Sequence, residues 1–230
     1  RVPGLQSVFQ GNPHKNSLNP ADDFRLVGAL APGGLSNAWG CGVATFSDAE
    51  LGALAGERQA MSDSYARVAK RIGISGSSED DLRAVIGLDD HADPALPLDK
   101  LHSIIWSRRA RLSAPDGFAL GRARVAVLAK DHQGRRACDF SGTCLWGCAN
   151  RSTWSAVYDL EELRRHPLAT VETGTHVEAL TPDGDGGWWI DTSSRHGMRR
   201  YCAKQLMLAA GTIASTRLAL GALAAPPARV

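Results

Sequence analysis

Two stretches of this chain hold residue types at spacings that can do chemistry. The first is Gly33-Gly34-Leu35-Ser36-Asn37-Ala38-Trp39-Gly40, which with Cys41 and Gly42 places four glycines in ten residues. Paired glycines admit positive φ and remove the side chains that would block a flat ligand. Ser36 and Asn37 bring donors and acceptors, and Trp39 a stacking face. Such a loop suits a cofactor with ring and phosphate parts; composition alone favours a plain glycine-rich surface turn. No Gly-Lys-Ser/Thr follows it, and no G-x-G-x-x-G occurs in the chain.

The second stretch carries Cys138, Cys144 and Cys148, while Cys41 and Cys202 stand alone. The triplet has several readings. Zinc with a fourth ligand such as His132 is one, although structural zinc sites usually use paired C-x2–4-C units. An iron–sulfur cluster needs a fourth thiolate and lacks the usual spacing. A local redox or structural disulfide, or buried thiols in a turn, complete the set. An odd cysteine number without a signal-peptide pattern argues against a secreted disulfide framework. No H-E-x-x-H or G-x-S-x-G is present. Asp90-His91-Ala92-Asp93 reads as a solvated loop, and Arg108, Arg109 and Arg111 as a solvated basic face.

The elements that must position these residues follow from patterning. The 230 residues form one large domain or two small ones, with 43% hydrophobic and 22% charged residues. A net charge of +2 argues against a protein that grips nucleic acid by its phosphates. The longest apolar runs, such as 205–216, are too short and polar to span a bilayer. Both ends read as cut, so the chain is expected to be an internal piece of a longer protein. The absence of an export pattern points to the cytoplasm, unless a preceding segment carries a signal.

Residues 1–32 read as loop with a short strand near 24–30. Ser47-Asp48-Ala49-Glu50 is a capping box, followed by Leu51, Leu54 and Ala55 at helical spacing. Helical patterning resumes through Tyr65, Val68, Ala69 and Ile72, and 77–85 resembles another capped helix. Residues 87–120 read as irregular. The alternating stretch 122–129 predicts a strand, and Asp131-His132-Gln133-Gly134 its turn. Asp159-Leu160-Glu161-Glu162 is expected to cap a helix ending at His166-Pro167. Short strands are expected at 169–172, 176–180 and 188–191, the last two as a hairpin with a long connection. Residues 202–210 are expected to form a buried strand of a parallel sheet, stopping at Gly211 before a helix carrying Ile213, Thr216, Arg217 and Leu220.

Three segments in order resemble the glucose–methanol–choline (GMC) family of FAD-dependent oxidoreductases. The Gly33–Gly40 loop is similar to the family's G-G-x-S-x-x-W/N-G loop against the flavin and pyrophosphate. Cys138-Asp139-Phe140-Ser141-Gly142-Thr143-Cys144-Leu145-Trp146-Gly147-Cys148 resembles C-x2-C-G-x-C-x2-G-C, with Ser141 in place of the second cysteine. Gln205-Leu206-Met207-Leu208-Ala209-Ala210-Gly211 with Thr212-Ile213-Ala214-Ser215-Thr216-Arg217-Leu218 resembles V-V-L-A-A-G-x-x-x-[ST]-P-x-L-L, with Thr216 where proline is usual. Gly174-Thr175-His176-Val177-Glu178-Ala179-Leu180 looks like the strand whose valine backbone reads adenine.

The resemblance covers about 24–223. It implies an α/β fold: a partial Rossmann-like FAD-binding domain with a small antiparallel β-meander and a helical insertion. The corresponding division is 1–47, an FAD-contacting loop region; 48–120, a helical cap; and 121–230, the FAD-domain segment with the meander. It implies FAD as cofactor, contacted by Gly33, Gly34, Ser36, Asn37, Trp39, Val177, Ala210 and Gly211. It implies hydride transfer from the CH–OH group of an alcohol or sugar, with an acceptor protein or quinone downstream. The family's G-x-G-x-x-G and catalytic histidine have no counterpart here, so no residue of this chain is assigned a catalytic role. Beside a flavin, Cys144 with Cys148, or Cys138 with either, would form an electron-relaying disulfide. The competing expectations are a relative that keeps the fold without the cofactor, and a small cysteine-based zinc module.

Overall fold

The computed structural model describes residues 8–10, 27–47, 50–52, 57–77, 79–87, 91–111 and 117–224. They are mixed α/β and group into two compact units, residues 1–165 and 166–230. The expected helix positions Leu54 and Ala55, the residues at 24–26 of the first strand, and Asp90 lie outside the described residues.

The spine of the first unit is the alternating stretch around Arg124, Ala126 and Leu128, which are at most 1% exposed. Sequence predicts a strand here. The structure instead makes isolated bridges, Val125 to Gly42 and Ser75, and Val127 to Thr153. The alternation holds because one face is buried. No continuous ladder forms, because separate short segments meet each edge. Val43 and Ser75 donate N–H to the carbonyls of Arg124 and Val125, and Leu128 and Trp154 donate to those of Ser152 and Ala126. The Asp131–Gly134 turn is present, with Gln133 and Gly134 at φ 48 and 75 and His132 bridged to Arg135.

Short elements surround this spine. Strand β1 (Val8–Gln10) pairs antiparallel with β2 (Val27–Ala29). Helix α1 (Arg58–Ile72) buries Ala69 and Ile72 and stops at Gly73, φ 71, where a Cβ would come 2.3 Å from Leu128 Cδ2. Val68, expected on its inner stripe, is 44% exposed. Strand β3 (Ser75–Gly76) and β4 (Asp93–Pro94) make a two-residue parallel pair, with the four-residue helix α2 (Arg83–Ile86) between them. The core joins Cys41, Ala69, Ile72, Ile74 and Ala126, with Trp39, Tyr65 and Trp154 packed against it.

Two capping details depart from the sequence reading. The stretch expected to be irregular contains helix α3 (Lys100–Arg108), whose N-cap Asp99 accepts the His102 N–H at 2.9 Å. Helix α4 (Ala156–Leu163) is capped by Ser155, which accepts from Val157 N–H, and Asp159 lies inside the helix rather than at its cap. The Ser47–Glu50 capping box does form: Ser47 N–H donates to Glu50 Oε2 at 2.7 Å and Glu50 N–H to Ser47 Oγ at 3.4 Å.

The second unit is the meander β5 (Thr175–Pro182), β6 (Trp188–Ser194) and β7 (Gly197–Ala203), with helix α5 (Thr212–Ala224). Leu180, Thr192 and Leu218 are buried within it. The hairpin connection is held by Asp183, whose Oδ1 accepts N–H bonds from Asp185 and Gly187 at 2.9 and 2.7 Å.

Two expected strands are corrected here. Residues 169–172 are not in a strand. The apolar run at 206–209 is in no strand, and Met207 is 94% exposed. A buried parallel strand needs a neighbour on each side. The third place in this sheet is filled by β7, which leaves the ladder after Ala203. Among the described residues, parallel pairing is confined to β3 and β4, and no helix is long and apolar enough to cross a membrane.

Candidate functional site

The glycine-rich loop has a defined shape. Gly33 and Gly34 sit at φ 90 and 53, which a β-carbon disfavours, and residues Gly34–Asn37 form a 3-10 turn. A Cβ on Gly33 would meet Asn37 Oδ1 at 2.8 Å and Ser155 Oγ at 3.0 Å, so this glycine is fixed by the loop's own packing. A Cβ on Gly34 would meet nothing within 4 Å. Gly40 is equally open, so the approaches that the loop's glycines leave free lie at Gly34 and Gly40.

The polar side chains of the loop are engaged within the protein. Ser36 Oγ donates to the Gly33 carbonyl and accepts the Ala156 N–H at 2.9 Å. Ser155 Oγ donates to Asn37 Oδ1 at 2.7 Å, and Asn37 Nδ2 donates to the Pro32 carbonyl at 2.8 Å. The loop thus caps the first turn of α4 from outside, satisfying the Ala156 N–H, one of the groups that a helix start leaves open. Trp39 Nε1 donates to the Trp154 carbonyl at 2.9 Å, and the two indoles pack edge to face at 5.8 Å. Ser36, Asn37 and Trp39 are positioning residues in this geometry. Sequence reading missed their partners Trp154 and Ser155. The signal was the serine preceding the helical pattern Ala156-Val157-Tyr158, an N-cap that the acidic residues downstream obscured.

The remaining expected contacts belong to the other unit. Val177 is half-buried on β5 beside a register shift at Glu178. Ala210 and Gly211 are exposed where α5 begins. Gly211 has φ 79 and open space where a Cβ would stand, and Ala210 N–H donates to Ser215 Oγ at 2.9 Å.

All five cysteines are free thiols. Cys41 is buried, and burial, with the neighbouring Cys144 and Cys148, pushes its thiol up to about 11. Burial would raise Cys148 too. Hydrogen bonds from Thr153 and Ser152 outweigh it and hold this thiol below its ordinary value; Ser152 N–H lies 3.2 Å from its sulfur. Among the described residues no three His, Cys, Asp or Glu side chains gather as a metal site, so the set of His132 with the cysteine triplet is not assembled.

No family model matches the chain, and no curated protein matches it.

Proposed function

We propose that this chain is the FAD-binding portion of a GMC-type oxidoreductase acting on CH–OH groups, with 121–230 as part of a Rossmann-like cofactor domain. The observation that carries the reading is the loop at Gly33–Gly40. Two left-handed glycines are held rigidly by bonds to the start of α4, and one of them opens onto free space.

The residues fit the group in a specific way. Gly34 offers main chain without a side chain in the way, Gly33 makes the turn against Asn37 and Ser155, and Ser36, Asn37 and Trp39 hold that main chain in place. Within the 166–230 unit, taken by itself, Gly211 precedes a 13-residue helix, a place where backbone N–H groups favour an anionic phosphate. FAD, when bound, supplies the hydride acceptor for an alcohol or sugar donor. This chain's part is binding and orientation, and the proton-accepting base is not among the residues assigned here. Electrons would leave to an acceptor protein or quinone.

Titrating the purified chain with FAD tests the reading. Saturable quenching of flavin fluorescence and a rise in melting temperature are expected. Gly34→Asn tolerates positive φ but adds a side chain to the open face. It should weaken FAD by at least about tenfold, ~1.4 kcal/mol, without loss of helical circular dichroism. Absence of quenching and of any thermal shift in the wild-type chain would overturn the proposal.

A further inference from the structure

A cleft of about 310 Å³ opens in the 1–165 unit and owes nothing to the loop described above. Its walls are apolar: Leu96, Pro97, Leu98, Ile105, Trp106 and Leu120. Volume and lining are those of a small-molecule pocket, in which a few polar groups set orientation.

Three residues with polar side chains are among those lining it: Arg122, Ser75 and His102. The Arg122 guanidinium donates only to the Leu96 carbonyl and has no carboxylate partner among the described residues. The acid that touches Arg122 is engaged elsewhere. Asp80 is buried, takes two bonds from Arg124 at 2.9 and 3.1 Å, and meets Arg122 through its backbone N–H alone. Ser75 is 1% exposed and its hydroxyl has no hydrogen-bond partner. At the rim, His102 Nδ1 is tied to Asp99 Oδ2 at 2.5 Å, which engages that carboxylate. The Arg109 guanidinium lies 3.9 Å over the Trp106 ring and adds positive charge nearby.

A guanidinium held by one carbonyl and without a carboxylate partner among the described residues, beside apolar walls, matches one chemistry best, because its planar fork binds a carboxylate through two bonds. The geometry points to a binding site for a small aliphatic or cyclic monocarboxylate, its carboxylate on Arg122 and its tail against Leu96, Leu98, Ile105 and Trp106. Ser75, buried in the lining with an unpartnered hydroxyl, is a further hydrogen-bonding group. The site is independent of the flavin reading and is tested without cofactor.

Hexanoate, 1-hexanol and hexylamine serve as probes of equal chain length in calorimetric titrations of the full chain, with saturation-transfer NMR to detect weak binding. Hexanoate should bind at least about tenfold tighter than hexanol, and hexylamine weakest, as a charge-assisted pair requires. Arg122→Met should erase the preference for hexanoate over hexanol. Ala123→Trp, which fills the cleft from an exposed position, should abolish binding of both. Equal affinity for acid and alcohol in the wild-type chain, or hexanoate binding that survives Ala123→Trp, overturns the assignment. The probe comparison on the unaltered chain stands even if a variant fails to fold.

Discussion

Arg124 and Asp80 form an ion pair with both side chains fully buried. Asp80 also accepts backbone N–H bonds from Leu82 and Arg122 at 3.1 and 2.8 Å, so the pair ties two segments 44 positions apart in sequence. Removing one partner strands the other charge in the core. Asp80→Ala should therefore cost roughly 3–5 kcal/mol in urea unfolding, far more than a surface substitution. The alternation around Arg124 predicts a strand but assigns no inward place to this arginine, which the structure buries while Val125 and Val127 stay half-buried. Its partner was not legible either, because nothing in a sequence pairs charges across such a separation. The same scale holds a second test. The Cys41 thiol rises from 9.0 to about 11 on folding. A raised value contributes stability below pH 9, which is lost as the pH climbs through 11. Melting temperature should fall across that window more steeply in the wild-type chain than in Cys41→Ala. Iodoacetamide at pH 8 should modify exposed Cys144 and Cys202 while sparing Cys41 until the chain is unfolded.

Among the elements, helix α4 and the Gly33–Asn37 turn depend on each other through Ser155. Ser155→Ala removes the cap of α4 and the bond to Asn37 together. It should lower stability by about 1–2 kcal/mol, measured by thermal unfolding. If FAD binding is also measured, it should weaken in the same variant. Gly73 offers a purer backbone test: Gly73→Ala meets both a left-handed φ and Leu128, and should be the more damaging of the two. Helix α1 and the β5–β6 hairpin were legible because each has a sustained period and clear turn residues. Helix α3 was overlooked although Leu101, Ile104 and Ile105 stand at the helical spacing i, i+3 and i+4 behind the N-cap Asp99; its nine residues are too few for a sustained period. The apolar run at 206–209 misled for the opposite reason. Its composition matches a buried strand, but composition does not supply neighbours, and β7 already holds the sheet position. At the candidate site, the glycines' conformations were legible from residue type. The bonds from Ser36, Asn37 and Trp39 to Trp154, Ser155 and Ala156 were not, since these partners lie more than a hundred residues downstream.

At the scale of the molecule, each unit has its own core. The first buries Ala126 and Leu128, whose N–H groups bond to Cys41 and Ser152 carbonyls. The second relies on Leu180, Thr192 and Leu218. Fewer buried side chains mean cheaper local opening. Amide hydrogen exchange should be slowest at Ala126 and Leu128 and measurably faster through β7, whose residues are mostly exposed. The reverse order would mean that the meander is the more stable body.

The bare thioether of Met207 turns the 206–209 segment into a built-in chemical reporter. Dilute hydrogen peroxide should convert Met207 and Met198, 94% and 76% exposed, to sulfoxides ahead of half-buried Met61. The pace of that oxidation, read by mass spectrometry, would then measure how much of the run another molecule shields in any given mixture.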